Sequence, residues 1–335
     1  MTYPAAQSAR DRFVLERRAP RPEHDAWRYQ GLIVEEERSV GGGVIRVATV
    51  LLTGRECPWR CAMCDLWRYT TIADTPAGAI AAQVAAARAA LAADAVPVAG
   101  VKLYNAGSFF DPRAVPEADY DGVAAALAGV PRVVVESHPT LVLRGGARIE
   151  RFIASLARAG RAGTAPGQLE VAMGLETAHP GALDRLNKRF TVERFADAAA
   201  ALRDRGVALR VFLLISPPFI PAGDQDAWLL RSLDTAFACG ATAVSLVATR
   251  SGNGAMETIA EAGWFQPPSL ADIERSFDIA LAHAAGRGRV FVDLWDIDRF
   301  GRCPRCLKVR RDRLHAMNLD QAVHPQPRCD ACDRR

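Results

Sequence analysis

Short apolar segments alternate along most of the chain with longer segments of helical composition. Apolar runs of strand length are bounded by Gly, Pro and polar residues, which predicts strands separated by helices. The predicted strands are Gly31–Glu35, Val44–Leu52, Val101–Tyr104, Arg132–Glu136, Leu169–Leu175, Val207–Ile215, Ala243–Ala248 and Arg289–Leu294. The predicted helices are Ala79–Ala93, Ala118–Ala128, Ala147–Ala159, one that begins near Val192, Ala227–Ala238 and Leu270–Ala284.

This alternation predicts an α/β fold with a parallel sheet. Strands that are joined through helices pair in parallel and are connected by right-handed crossovers. About six such units favour a barrel or partial barrel over an open Rossmann sheet, although the pattern alone leaves closure undecided. In parallel barrels the functional loops follow the carboxyl ends of the strands.

Composition places the protein in an ordinary globular class. Of its 335 residues, 50% are hydrophobic and 24% are charged. No apolar stretch reaches the roughly 20 residues that span a bilayer, and the N-terminus lacks the basic-then-apolar pattern of a signal peptide. We therefore expect a cytoplasmic protein without a membrane partner, in which reducing conditions keep cysteines available as metal ligands.

Positive charge is concentrated at the C-terminus. The formal net charge is +4, and Arg302–Arg335 alone contains nine Lys/Arg against four Asp/Glu. A concentrated basic segment favours a polyanionic partner such as RNA, although a solvated charged tail would have the same composition.

Three cysteines lie within eight residues, at Cys57, Cys61 and Cys64, directly after the second predicted strand. A [4Fe–4S] cluster needs four ligands, and the next cysteine is the distant Cys239, so one iron would remain open to a small molecule. Zinc held with a distant His, or three reduced thiols in a loop, are the alternatives. The uneven spacing differs from the paired Cys-x-x-Cys knuckles of structural zinc sites.

The run Cys57-x3-Cys61-x2-Cys64 after an apolar strand resembles the motif of the radical SAM enzymes. The resemblance implies a partial (β/α)6 TIM-like barrel and a [4Fe–4S] cluster on these three thiolates. It also implies S-adenosylmethionine on the open iron, whose reductive cleavage gives a 5′-deoxyadenosyl radical, and a reductant such as flavodoxin or ferredoxin. The position before the third cysteine is usually aromatic in this family and is Met63 here, beside the cofactor.

Later loops resemble the cofactor-binding loops of the same family. The loop after the third predicted strand contains Asn105, Gly107 and Ser108, in the place where the family binds the amino group of the cofactor. Glu136 ends the fourth predicted strand and Glu176 follows the fifth. The resemblance implies that both side chains contact the cofactor.

Two further motifs narrow the resemblance to enzymes that modify tRNA. Gly174–Thr177 and Leu186–Phe190, which contains Lys188, resemble the subclass of the Elongator catalytic subunit, and Lys188 is expected to pair with a carboxylate near the cofactor. Ile215–Phe219, together with the loops at Gly107 and Glu136, resembles the radical SAM subunits of archaeosine synthases. No residue is identified as a radical relay or general acid.

Two more cysteine pairs lie near the C-terminus, Cys303-x2-Cys306 and Cys329-x2-Cys332, separated by 22 residues. Four such thiolates suit a structural zinc ion, and an auxiliary iron–sulfur cluster or a site that includes His315 or His324 is also open. The Arg- and Lys-rich segment between the pairs is expected to face a phosphate backbone.

We predict three parts: an N-terminal extension over residues 1–40, a radical SAM core over 41–298 and a basic four-cysteine module over 299–335. The predicted function is hydrogen abstraction from a substrate, with a modified nucleoside in tRNA as the expected one. A radical SAM enzyme that acts on a peptide or small metabolite with an auxiliary cluster is one alternative. A non-catalytic nucleic-acid-binding metalloprotein is the other.

Overall fold

One eight-stranded sheet forms the centre of the computed structural model, which describes residues 3–160 and 167–333. β1 pairs with β2 in antiparallel register, with Gly31 opposite Leu51, and all later neighbours are parallel. The sheet curls into a half barrel, which brings Glu37 on β1 to Arg210 on the distant β6. In chain order, which is also their order in the sheet, the strands are β1 (Gly31–Arg38), β2 (Val44–Leu52), β3 (Gly100–Asn105), β4 (Arg132–Glu136), β5 (Gln168–Glu176), β6 (Ala208–Ile215), β7 (Ala241–Ala248) and β8 (Arg289–Val292).

Helices follow the parallel strands and cover the outside of the curled sheet. The α-helices of the described residues are α1 (Gln7–Leu15), α2 (Ala79–Ala93), α3 (Tyr120–Ala126), α4 (Pro139–Arg144), α5 (Gly146–Ala159), α6 (Pro180–Arg185), α7 (Val192–Arg203), α8 (Gln225–Ala238), α9 (Ala255–Glu261), α10 (Leu270–Ala284), α11 (Leu307–Asp320) and α12 (Asp330–Asp333). Short 3₁₀ turns lie at Leu66–Tyr69, Glu117–Asp119, Ala222–Asp224 and Ile297–Phe300. None of these helices has the length and apolar composition needed to cross a membrane.

The predicted strands and helices are confirmed, with α3 shorter than expected. The sequence pattern did not predict α1, α4, α6, α9, α11 or α12. Both α4 and α6 begin with a proline, whose missing N–H costs little in a first helical turn. Each proline follows a histidine whose Nδ1 accepts a backbone N–H of that turn, from Thr140 in α4 and from Ala182 in α6.

A buried network of charges fills the barrel near the amino ends of the strands. Glu37 accepts hydrogen bonds from Arg210 and Arg132, each at 2.7 Å, and its second oxygen lies 2.7 Å from Lys102 Nζ. Glu170 accepts from Arg210 at 2.7 Å and from Arg132 at 2.8 Å. Burial opposes ionisation of these carboxylates, but the adjacent cations lower the pKa of Glu37 well below its usual range and that of Glu170 to about 2. Glu37 therefore ties β1 to strands across the barrel interior, and Glu170 of β5 binds the same two arginines.

Helix α11 closes the gap between the two edge strands by packing against both β1 and β8. Leu314 and Met317 of α11 are fully buried in the main core. Side-chain amides of the same segment bind the free edge of β8: Asn318 bonds the N–H and carbonyl of Val292, and Gln321 bonds those of Val290, at 2.7–2.9 Å. These amides take the place of a neighbouring strand.

Candidate cofactor and metal sites

The cysteine loop, residues 53–65, lies at the carboxyl end of the parallel strands, directly after β2. Its first residue is fixed to helix α2, because the Gln83 side chain accepts from the Thr53 N–H and donates to the Thr53 carbonyl, each at 2.8 Å. Cys57, Cys61 and Cys64 follow in this loop, and Cys61 is buried. The three thiols therefore lie at the end of the barrel where parallel barrels place their chemistry.

Burial raises the pKa of all three loop thiols, that of Cys64 to about 12. A buried thiol ionises only where a cation compensates for its lost hydration, so none of the three is an activated free nucleophile.

His138, which follows β4, joins the cysteine loop to the rest of the barrel mouth. Its Nδ1 accepts from the Thr140 N–H at 3.2 Å, so Nε2 carries the proton and donates to the Lys188 carbonyl at 2.9 Å. Burial lowers the pKa of His138 to about 3, which keeps the ring neutral. Trp59 stacks on this ring with centroids 3.6 Å apart. Ser108 Oγ accepts from the His138 N–H at 3.0 Å, so this predicted cofactor residue also has a structural contact.

Asn105, at the end of β3, is the strongest candidate for a ligand contact. It is 3% exposed, and neither its amide nitrogen nor its amide oxygen has a hydrogen-bond partner within the described chain. A buried amide without partners loses free energy, which a ligand that both donates and accepts would restore. Gly107 lies against the base of the cysteine loop, where a Cβ would come 2.8 Å from the Arg55 carbonyl oxygen. Only glycine therefore fits this approach.

Glu176 and Lys188 form a buried ion pair beside the cysteine loop, with Oε1 and Nζ 2.6 Å apart. Glu176 has a left-handed backbone, φ +66°, at a bulge between β5 and β6. Burial alone would lower the pKa of Lys188, but Glu176 and Cys61 raise it, so the ammonium stays charged. Burial raises the pKa of Glu136 to about 8, with Lys188 opposing the shift and Glu176 adding to it. The structure thus brings both carboxylates and Lys188 into one electrostatic group.

The N-terminal segment covers part of the cysteine loop, which the sequence pattern did not predict. Met63 packs against a small apolar cluster that includes Phe13 of α1 and Met256 of α9. Glu56 of the loop pairs with Arg18, at 2.8 Å. The residues that precede β1 therefore support the candidate site directly.

The four C-terminal cysteines converge as predicted. The Sγ atoms of Cys303 and Cys329 lie 3.9 Å apart, those of Cys306 and Cys332 lie 3.7 Å apart, and all four lie within 4.8 Å of one another. A tetrahedral ion with metal–sulfur bonds of about 2.3 Å requires sulfur–sulfur distances of about 3.8 Å. The donor set therefore fits a single tetrahedral metal ion.

The basic residues between the cysteine pairs do not all face solvent as expected. Arg310 binds the buried Glu274 of α10, and Arg313, also buried, binds Asp278 of the same helix. They hold α11 on the core and cannot contact a phosphate backbone while these ion pairs persist. Exposed cations remain at Arg302, Arg305, Lys308 and Arg328, and Arg334 and Arg335 of the predicted basic tail lie outside the described residues.

Two residues that contact the cysteine loop were not identified from the sequence. Asn253 and Asn187 bind backbone carbonyls of the cysteine loop through their side-chain amides. The only signal in the sequence was their setting: Asn253 lies between two glycines after β7, and Asn187 lies in the Leu186–Phe190 motif.

No family model matches the chain. The archaeosine synthase subunit beta of Methanosarcina acetivorans is 28% identical over 244 residues, which are 70% of this chain and 66% of that protein. The chain thus matches just under two thirds of the length of this relative. The relative confirms the resemblance to the radical SAM subunits of archaeosine synthases that the sequence motifs predicted.

Solved structures of similar proteins include the archaeal Elp3 of Methanocaldococcus infernus, at 13% identity and a TM-score of 0.47, covering 63% of this chain and 51% of that one. Coproporphyrinogen III oxidase (HemN) of Escherichia coli, a radical SAM enzyme, is similar at 12% identity and a TM-score of 0.47, covering 72% and 53%.

Proposed function

We propose that this chain is a radical SAM enzyme that abstracts a hydrogen atom from a modified nucleoside in tRNA. One observation carries the proposal: Cys57, Cys61 and Cys64 lie in one loop at the carboxyl end of the sheet, away from Cys239, the next cysteine in the chain. Cys239 ends α8 two residues before β7 begins, at the opposite end of the strands. Three thiolates leave one iron of a [4Fe–4S] cluster open.

When bound, the cluster and S-adenosylmethionine would supply a carbon radical able to remove hydrogen from an unactivated position. The chain's own residues would bind and orient the cofactor. The unpartnered amide of Asn105 suits a group that donates and accepts, and Gly107 leaves room for close approach. Glu136 and Glu176 would accept hydrogen bonds from amino or hydroxyl groups, while Lys188 compensates the charge of Glu176.

The nucleoside substrate is supported by the curated relative, whose name denotes synthesis of archaeosine, a modified nucleoside. Exposed cations at Arg302, Arg305, Lys308 and Arg328 supply a basic surface for a phosphate backbone. Radical chemistry on a peptide or small metabolite is the competing assignment.

The C-terminal cysteines are proposed to hold zinc. Support comes from the sulfur–sulfur distances, which fit one ion better than an auxiliary cluster whose thiolates ligate separate irons. Elemental analysis of the reconstituted protein should find about one zinc and about four irons per chain. About eight irons without zinc would instead identify an auxiliary cluster.

A cytoplasmic location and a flavodoxin- or ferredoxin-type reductant complete the proposal. All eight cysteines are free thiols, which suits a reducing compartment. The division into residues 1–40, 41–298 and 299–335 also remains our proposal.

Anaerobic reconstitution with iron and sulfide tests the central assignment. The unmodified chain should bind a cluster with a cube-type electron paramagnetic resonance spectrum and release 5′-deoxyadenosine from S-adenosylmethionine under dithionite. Cys61→Ala should lose both properties, whereas Cys239→Ala, a matched loss of one thiol outside the loop, should retain them. A chain that shows neither a cluster spectrum nor 5′-deoxyadenosine with any substrate would be a binding protein instead.

The amount of 5′-deoxyadenosine formed also distinguishes between the candidate substrate classes. Bulk tRNA should increase 5′-deoxyadenosine formation, and salt should weaken its binding. Stimulation by free metabolites or peptides, without any by RNA, would overturn the nucleoside assignment.

A further inference from the structure

We propose that Asn253 is a positioning residue for the cysteine loop: it fixes the peptide groups around Cys61 and Cys64 so that their thiolates can reach one cluster. The inference deepens the proposed function and rests on it. It follows from hydrogen bonds between the loop after β7 and the cysteine loop.

Every polar atom of the Asn253 side chain has a backbone partner. Its Nδ2 donates to the Ala62 carbonyl at 2.7 Å and to the Cys64 carbonyl at 3.2 Å. Its Oδ1 accepts from the Met256 N–H at 2.8 Å, in the first turn of α9. The side chain is 4% exposed, so these bonds form away from competing water. One amide therefore connects the cysteine loop to helix α9.

Two glycines allow this approach. Gly252 and Gly254 flank Asn253 with φ of +117° and +83°, which favour glycine. A Cβ at Gly254 would overlap the carbonyl oxygen of Arg17 in the N-terminal segment. The turn is consequently packed against the N-terminal segment at Gly254, which leaves Asn253 little freedom to point elsewhere.

A second asparagine holds the loop from the side of β5. Asn187 Nδ2 donates to the Arg60 carbonyl at 2.8 Å, and the neighbouring Leu186 carbonyl accepts from the Ala62 N–H at 3.0 Å. The carbonyl of residue 60 is thus held from one loop, and the carbonyls of residues 62 and 64 are held from the other. Backbone groups outside helices and strands need such partners when they are shielded from water.

The position of the thiolates depends on these contacts because the loop has little internal support. Between Cys61 and Cys64 the chain makes one turn, in which the Cys64 N–H donates to the Cys61 carbonyl at 3.2 Å. The Asn253 amide binds the Ala62 carbonyl within that turn and the Cys64 carbonyl at its end. Hydrogen bonding and solvent access around a cluster set its reduction potential, so a loosened turn should change the potential and not only the stability.

The variant Asn253→Asp distinguishes a positioning role of Asn253 from a role in folding. Aspartate keeps an oxygen for the Met256 N–H and places negative charge at a helix N-terminus, which is favourable. It removes both donors and sets a carboxylate against two carbonyl oxygens. Asn318→Asp is the matched control, because it removes a similar amide donor from the remote edge of β8.

Hydrogen–deuterium exchange of the whole metal-free chain tests, without a cluster, whether Asn253 holds the cysteine loop. Amides of residues 57–65 should exchange roughly tenfold faster or more in Asn253→Asp, as expected for loss of two hydrogen bonds. Asn318→Asp should leave the loop unchanged and accelerate exchange near β8. Equal loop exchange in Asn253→Asp and the unmodified chain would overturn the inference. Should Asn253→Asp fail to fold, Asn187→Gly, which suits that residue's φ of +62°, should loosen the same loop.

Reconstituted protein tests the consequence for the cluster. Asn253→Asp should shift the midpoint potential and the electron paramagnetic resonance spectrum, whereas Asn318→Asp should match the unmodified chain. An unaltered midpoint potential and spectrum would overturn the inference that Asn253 positions the thiolates. If the unmodified chain binds no cluster, the proposed function fails, while the exchange comparison still decides whether Asn253 holds the loop.

Discussion

Replacing Glu37 by glutamine should destabilise the barrel by about 3–5 kcal/mol, the usual cost of leaving a buried charge without its partner. Glu37 contacts Arg210, Arg132 and Lys102, each at 2.7 Å, and Arg210 is only 2% exposed. The pKa shift of the neighbouring Glu170 corresponds to a comparable free energy. Its pKa of about 2 lies roughly two units below that of an unperturbed glutamate, which corresponds to about 3 kcal/mol.

Urea unfolding followed by circular dichroism measures this loss. Asp121→Asn is the control, because its ion pair with Arg158 is exposed on both sides and should contribute little. A Glu37→Gln variant that unfolds at the same urea concentration as Asp121→Asn would refute the reasoning, since the network would then not stabilise the barrel.

The same network determines how the stability of the folded protein changes as pH falls. Because the folded-state pKa values of Glu37 and Glu170 are lowered, their stabilisation is full above the unfolded pKa of about 4.3 and is lost as pH falls toward the folded values. The unmodified chain should lose stability between about pH 4.3 and pH 2, and Glu37→Gln should lose less over this interval. An equal loss in both chains would contradict the assignment.

Two further outcomes follow from buried contacts. If the C-terminal cysteines bind metal as proposed, a chelator should weaken the attachment of α11, which the metal would share with the Arg310 and Arg313 ion pairs. Amide exchange at Val290 and Val292 should then rise, as measured by mass spectrometry; unchanged exchange would show that the metal does not hold the helix. Lys188→Met should lower the unfolding free energy by about 3 kcal/mol or more, because Glu176 would stay buried and unpaired. The Glu176→Gln/Lys188→Met double variant should recover most of that loss in urea unfolding, and no recovery would contradict the pairing.

Local pattern predicted the strands, the helices α2, α3, α5, α7, α8 and α10, and the location of the candidate site. Strands such as β4 are continuous apolar runs, and Cys57, Cys61 and Cys64 directly follow one of them. Strand order then places the loop at the carboxyl end of a parallel sheet. These features depend on neighbours in sequence, which is why composition and spacing reveal them.

Contacts between distant residues were beyond such reasoning. Glu37 meets Arg210 only because the sheet curls, and no local pattern marks this pair. Arg310 and Arg313 resemble a solvated basic segment in sequence, yet two carboxylates of α10 turn them inward. Asn253 likewise acquires its partners only when the loops after β2 and β7 meet.

The amide caps on β8 also affect how copies of this protein interact with one another. An uncovered edge strand offers unpaired N–H and carbonyl groups on which a second chain can add a strand. Asn318 and Gln321 occupy those groups at Val292 and Val290. If metal at Cys303, Cys306, Cys329 and Cys332 helps to keep α11 in place, metal loss would expose the edge of β8. The first observable effect would then be self-association of the protein rather than its unfolding.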